Sequence, residues 1–246
     1  MTIKKHIPNT ITSMNLLAGI MGVICAVYGI PDWALICMLL AAVFDFCDGL
    51  AARLLKAYSP IGKELDSLAD MVSFGVLPAL LIMNCMQEQG VPTWLCYIAL
   101  FIAVMSAIRL AKFNVDTRQT TDFLGVPTPT CALLCASFSA YVSAQPDGFL
   151  AHLAGTVWFL PLVSIALGLL LVSEIPMFGM KVKPGHKLLD TKRIVFLVLS
   201  VIAIVLALAV GKDVSLAILL VFVIYLAENL ILACMKRFTP KTEQPS

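Results

Sequence analysis

A chain of 246 residues that is 60% hydrophobic and 13% charged, with a mean hydropathy of +0.96, lies far outside the range of soluble domains and reads as an integral membrane protein. At about 20 residues per crossing, this length allows roughly eight helices and leaves almost nothing for an extramembrane domain, so any chemistry falls inside the bundle or at its rim. The net charge of +2 gives no reason to expect nucleic acid as a partner.

Taken in chain order, apolar runs and their polar or Pro/Gly breaks predict helices at 12–29, 32–56, 62–86, 92–115, 127–144, 149–173, 193–211 and 214–235. The first run follows Lys4 and Lys5 as a signal peptide would, but it has no small-x-small cleavage site and is kept as a helix. The second and third are assigned differently. Their uninterrupted apolar portions, Trp33 to Phe44 and Met71 to Cys85, are too short to span, and each becomes a crossing only with its charged half included. Alternating the connections then gathers 16 of the 17 basic residues on one side, with Lys212 alone on the other.

The positive-inside rule therefore predicts both termini, and the loops at 57–61, 116–126 and 174–192, on the cytoplasmic side of a bacterial-type membrane. Lysines in the 174–192 loop enforce that orientation and meet anionic headgroups. The expected fold is an all-α bundle of about eight transmembrane helices forming one domain over 1–246, without internal repeats. The eight cysteines show no CxxC pairing or Cys/His clustering and read as small buried hydrophobes. His6 and His186 are expected at the cytoplasmic rim and His152 near the opposite face, all structural or solvated.

The stretch from Asp45 to Asp70, DFCDGLAARLLKAYSPIGKELDSLAD, contradicts ordinary membrane logic. Helical spacing puts Asp45 with Asp48, and Asp66 with Asp70, on shared faces. A hairpin through AYSPI, broken at Pro60, brings the four carboxylates to similar depth. A charge inside a membrane helix costs about 2.5–3.5 kcal/mol, so ion pairing with Arg53, Lys56 and Lys63 is a poor reason to keep several. Four adjacent carboxylates repel unless cations hold them. Hard divalent ions, magnesium or manganese, are the natural occupants, and two could share bridging carboxylates while keeping positions open for a diphosphate. Gly49 lies one turn after Asp45 and Gly62 one turn before Asp66. With Ala52, they remove side chains where something bulky could approach or where helices pack closely. Arg53, beside the cluster, is placed to pair with a phosphate.

Asp45-x2-Asp48-Gly49-x2-Ala52-Arg53-x8-Gly62-x3-Asp66-x3-Asp70 resembles the complete signature of the CDP-alcohol phosphatidyltransferases. IPNTITSMNLLAGI, DSLADMVSFGVLPA, AIRLAKFNV and LLVSEIPMF resemble the phosphatidylserine synthase branch. The resemblance implies transfer from CDP-diacylglycerol to L-serine, giving phosphatidylserine and CMP, by a homodimer using two divalent cations. It implies that Asp45, Asp48, Asp66 and Asp70 surround the metals. It further implies that Asp48, Gly49, Ala52, Arg53 and Gly62 bound the CDP-lipid pocket and that Asp70 is the general base.

Serine carries a carboxylate, so its pocket calls for a cation, and Arg109 and Lys112 at the inner end of the fourth helix are the candidates, with Asn114 in support. Glycerol 3-phosphate or inositol phosphate as acceptor would call for a denser arginine cluster than this. A cation transporter would also use intramembrane carboxylates, but its site is expected near the midplane between repeats.

Overall fold

The computed structural model describes residues 3–115, 123–177, 191–209 and 214–238. Its helices are α1 (Ile3–Val27), α2 (Pro31–Leu54), α3 (Pro60–Glu88), α4 (Thr93–Val115), α5 (Thr128–Ala144), α6 (Phe149–Ala154), α7 (Phe159–Val172), α8 (Thr191–Ala209) and α9 (Val214–Phe238). Among the described residues, five helices are long and apolar enough to cross a membrane, namely α1, α2, α3, α4 and α9. The fold is that of an all-α membrane protein. Lys181, Lys183, Lys187 and His186 of the 174–192 loop lie outside the described residues, as do Arg118 and Lys212.

Three departures from the sequence reading are local. The first helix begins at Ile3 instead of residue 12, and its hydroxyl side chains are satisfied on the preceding turn. Thr10 donates to the His6 carbonyl (2.8 Å), Thr12 to that of Pro8 (3.0 Å) and Ser13 to that of Asn9 (2.9 Å). The element expected at 149–173 is two helices, interrupted at 155–158. Gly155 ends α6, the Thr156 amide donates to the Leu153 carbonyl (3.1 Å), and Pro161 suits the first turn of a new helix. The 14 residues of α7 extend only about 21 Å at 1.5 Å per residue. Finally, two segments expected as loops pair as an antiparallel ladder, β1 (Phe123–Leu124) with β2 (Pro176–Met177), through Phe123 opposite Met177 and Leu124 opposite Pro176.

The centre of the bundle is α5, which is buried around its whole circumference, as a helix enclosed by other helices must be. Ala132, Ala136 and Ala140 repeat every four residues and pack with Met38 of α2 and Phe74, Leu77 and Leu81 of α3. On its other side Cys131, Cys135 and Phe138 meet Ile82 and Met86 of α3, Ile102 of α4 and Leu167 and Leu171 of α7. Outward faces keep large apolar residues such as Leu17, Phe46, Val104 and Leu162 exposed, which suits a lipid surroundings in which burial against protein gains little. The cysteines divide accordingly. Cys85, Cys96, Cys131 and Cys135 are buried, Cys25, Cys37 and Cys47 are half-buried, and Cys234 is exposed.

Two features of the α2–α3 hairpin fix its register. At the end of α2, Lys56 takes a positive φ of 49° while the Ala57 amide returns to the Ala52 carbonyl at 3.0 Å, the left-handed closure usually left to glycine. Ser59 then caps α3 by accepting the Gly62 amide at 3.0 Å, with Pro60 in the first position. Directly after Asp70, α3 widens into a π-helical stretch, Met71–Val76. A wide turn of this kind rotates the residues that follow it relative to those before. Here Ser73 is fully buried against α1, and a Cβ on Gly19 would collide with its hydroxyl.

Candidate active site

The hairpin brings Asp45 and Asp48 of α2 against Asp66 of α3, with carboxylate oxygens of all three within 4.8 Å of one another. Asp48 is buried, while Asp45 and Asp66 are half-buried. Asp48 Oδ2 and Asp66 Oδ1 are both shielded from solvent and have no hydrogen-bond partner. The Thr12 hydroxyl, which donates to the Pro8 carbonyl, also lies within reach of the Asp48 carboxylate. Orphaned, mutually repelling carboxylate oxygens in low dielectric are unstable unless a cation joins them. An oxygen-only donor set is what a hard divalent ion prefers, so the residues present fit a metal.

Asp70 lies one turn beyond Asp66 and outside that trio. Its Oδ1 accepts from Asn15 Nδ2 of α1 at 3.1 Å. Asn15 Oδ1 in turn accepts from the Ser73 hydroxyl at 2.8 Å, which fixes the amide so that its NH2 faces the aspartate. The close approach of α1 at Gly19 and the wide turn of α3 are what bring these three residues together.

Beside the trio opens a cavity of about 660 Å³ lined by Asp48, Gly49, Ala52, Arg53, Gly62 and Asp66. All five positions expected to bound the CDP-lipid pocket therefore line one cavity. Gly49 faces open space, since an added Cβ would meet nothing within 4 Å, whereas at Gly62 it would meet Asn9 Oδ1 at 2.8 Å and Ser59 Oγ at 3.0 Å. Arg53 is exposed and bends back so that its Nε donates to the Gly49 carbonyl at 2.9 Å. The lining also includes Asn9 and Thr12 of α1, with Lys63 and Phe113. Sequence reasoning assigned no role to Asn9, Thr12 and Asn15, yet the signal was available. They repeat every three residues as a polar stripe entering an apolar helix.

The three acceptor candidates have different fates. Arg109 is 8% exposed, with Nη1 donating to the Thr128 hydroxyl of α5 at 2.8 Å. It lies close enough to Asp70 and to Tyr225 of α9 to interact electrostatically with both. Lys112 is exposed. Asn114 ties α4 to α3, because its Nδ2 donates to Ser67 Oγ at 2.8 Å and its carbonyl accepts from Lys63 Nζ at 2.7 Å.

The sequence model of the CDP-alcohol phosphatidyltransferase family matches residues 5–174. The CDP-diacylglycerol–serine O-phosphatidyltransferase of Mycobacterium bovis is 33% identical over 178 residues, covering 70% of this chain and 60% of that protein. The protein of the same name from Bacillus subtilis is 35% identical over 125 residues, covering 51% of this chain and 70% of the relative. The archaetidylserine synthase of Methanothermobacter thermautotrophicus is 32% identical over 171 residues, 69% of this chain and 68% of the relative. The chain thus spans about 60% of the length of the mycobacterial relatives it matches.

Proposed function

This chain belongs to the CDP-alcohol phosphatidyltransferase family, and on that premise we propose that it transfers the phosphatidyl group of CDP-diacylglycerol to the hydroxyl of L-serine, giving phosphatidylserine and CMP. One observation carries the reading: the nucleotide-sized cavity opens directly onto the aspartate trio, and the five signature positions expected around a CDP-lipid line it. The relatives named for serine transfer support serine as the acceptor.

In this reading the cytidine and diphosphate occupy the cavity along Gly49, Ala52, Arg53 and Gly62, with Asp48 at the junction between nucleotide and metal site. Asp45, Asp48, Asp66 and Asp70 hold two divalent cations, Mg or Mn, which when bound neutralise charge on the diphosphate and on the departing CMP. Serine's hydroxyl is a poor nucleophile near neutral pH and needs a positioned base. Asp70 takes that role. Asn15 holds one of its oxygens, so its direction is set before the acceptor arrives. The serine oxygen attacks the lipid-side phosphorus, its proton passes to Asp70, and the bond from that phosphorus to the oxygen of CMP breaks. Arg109 receives the serine carboxylate, Lys112 adds positive charge at the rim, and Asn114 locks α4 onto α3.

The remaining elements complete the topology. Together α5, α6 with α7, and α8 bring the five long helices to eight crossings, with both termini and the active site on the cytoplasmic side, in a homodimer.

The deciding experiment is an acceptor screen on purified protein with CDP-diacylglycerol, comparing serine, glycerol 3-phosphate and inositol phosphate with and without a divalent ion. The expected result is CMP release only when serine and the ion are both present. Release with glycerol 3-phosphate or inositol phosphate instead would reassign the acceptor, and cation flux without CMP would replace the enzyme by a transporter.

A further inference from the structure

Arg109 presents an electrostatic problem that the donor half of the site does not resolve. A guanidinium has five N–H donors and keeps its charge at any physiological pH, so burying it is unfavourable unless those donors are paired. Nη1 is satisfied by Thr128, but Nε is buried with no hydrogen-bond partner. No acidic side chain among the described residues forms an ion pair with it. Asp70 is near enough to be felt across space, while its Oδ1 accepts from Asn15. A rigid cationic fork, buried and part-satisfied beside the proposed base, has the form of a receptor for a small planar anion.

Thr128 is itself fixed with unusual thoroughness for a residue at a helix start. It is fully buried and follows Pro127 at the head of α5. The segment before it is strapped to the end of α7. Gly125, at φ +75°, donates its amide to the Ile175 carbonyl at 2.9 Å, and Val126 donates to that of Leu170 at 3.1 Å. The β1–β2 ladder extends the same strap. A Cβ at Gly125 would lie 2.5 Å from the Leu171 carbonyl oxygen, so the strap closes only with glycine there. Its effect is to hold a hydroxyl at one point on the arginine.

Tyr225 approaches the same arginine from α9, beyond the region that the family model covers. It is 8% exposed and is braced edge-on by Phe196 of α8, with ring centroids 5.8 Å apart and planes at 77°.

We propose that Thr128 is a positioning residue that holds Arg109 as the carboxylate clamp of the acceptor subsite, and that Tyr225 makes the wall contributed by the final helix pair. The ligand class is a small hydroxylated α-amino acid, whose carboxylate takes the arginine's remaining N–H groups while its hydroxyl reaches Asp70. This rests on the functional reading above and adds how the acceptor is selected.

The test uses the purified 246-residue chain, with CMP release measured against serine and CDP-diacylglycerol separately. Thr128→Val keeps the side chain's shape and removes its hydroxyl. It is expected to raise the KM for serine about tenfold, the effect of losing one charge-assisted hydrogen bond, and to leave the KM for CDP-diacylglycerol within about twofold. Thr128→Ser, which restores the hydroxyl, should return the serine KM to near the unsubstituted value. Tyr225→Ala, which removes the ring that forms the wall, should raise the serine KM alone, by about threefold. An unchanged serine KM in Thr128→Val, an equal rise in both KM values, or failure of Thr128→Ser to rescue would overturn the clamp. A serine KM unchanged in Tyr225→Ala would remove the final helix pair from the subsite. Should Thr128→Val not accumulate in the membrane, Arg109→Lys asks the same question, since it keeps the charge and loses the fork. A serine KM unaffected by that change also overturns the proposal. The unsubstituted protein separates the two levels of inference: no serine-dependent CMP release would sink the functional reading and this clamp with it, whereas serine turnover with an unselective Thr128→Val sinks the clamp alone.

Discussion

The proposed donor and acceptor parts of the site are built on different principles, and only the donor part lines the cavity beside the aspartates. On the donor side Asp45, Asp48, Gly49, Ala52, Arg53, Gly62, Asp66 and Asp70 fall within 26 residues, on two helices joined by one tight turn. Their geometry follows from helical spacing and from the closure at Lys56 and the cap at Ser59. On the acceptor side Arg109, Thr128 and Tyr225 come from three helices and are juxtaposed only by packing around α5. The signature is therefore set mainly by one hairpin, with α1 adding Asn9, Thr12 and Asn15 against it. The proposed acceptor side depends on the assembly of three helices, which makes it the place where acceptor choice would be set.

The sharpest way to break this contrast is at the residue that borders both sides. Asp70→Asn should lower kcat by about a hundredfold or more, the scale of general-base catalysis, while the protein still accumulates in the membrane. Turnover close to normal would remove Asp70 from the mechanism and leave the trio as a metal site without an adjoining base. Next in size is Asn15→Ala. It removes a hydrogen bond to a charged group, worth about 1.5–3 kcal/mol, and should cost at least about tenfold in kcat with both KM values little changed. If instead the KM for CDP-diacylglycerol rose and kcat held, Asn15 would belong to the donor side and the Ser73–Asn15–Asp70 chain would be only a packing contact.

How far each side could be read from sequence follows the same division. The charged halves of α2 and α3, recognised because their apolar portions are too short to cross, are helical as expected. The whole CDP-lipid set lines one cavity. Arg109 was put forward from a chemical demand, a cation for a carboxylate, but its hydrogen-bond partner Thr128 was not foreseen. Nothing local marks Thr128, whose placement depends on a strap between segments that are distant in sequence. A two-residue β ladder carries no periodicity to detect. The interruption at 155–158 was missed because Gly155 and Thr156 sit within an otherwise apolar run, where glycine alone is a weak breaker. Lys112, three residues after Arg109, shares its charge and neighbourhood in sequence, yet it is exposed where Arg109 is buried. One turn of helix decides between the two, and only the packing of α4 says which faces inward.

The glycines of the donor side give the finest test, because the two differ in what surrounds them. At Gly62 an alanine Cβ would sit 2.8 Å from Asn9 Oδ1 and 3.0 Å from Ser59 Oγ, so Gly62→Ala must turn the Asn9 side chain aside or disturb the cap of α3. A loss of about 1–3 kcal/mol is expected for such overpacking, measured as a lower Tm in detergent, together with a higher KM for CDP-diacylglycerol. At Gly49 the same methyl group meets no protein atom within 4 Å and projects into the cavity. Gly49→Ala should therefore leave Tm unchanged or slightly raised, since alanine suits a helix better than glycine. Its only effect should be a rise of about threefold in the KM for CDP-diacylglycerol, roughly the 0.7 kcal/mol of a modest steric loss, with the KM for serine unmoved. A matching rise in the serine KM would mean that donor and acceptor share that part of the cavity, and the division between a local donor side and an assembled acceptor side would fail at its most local residue.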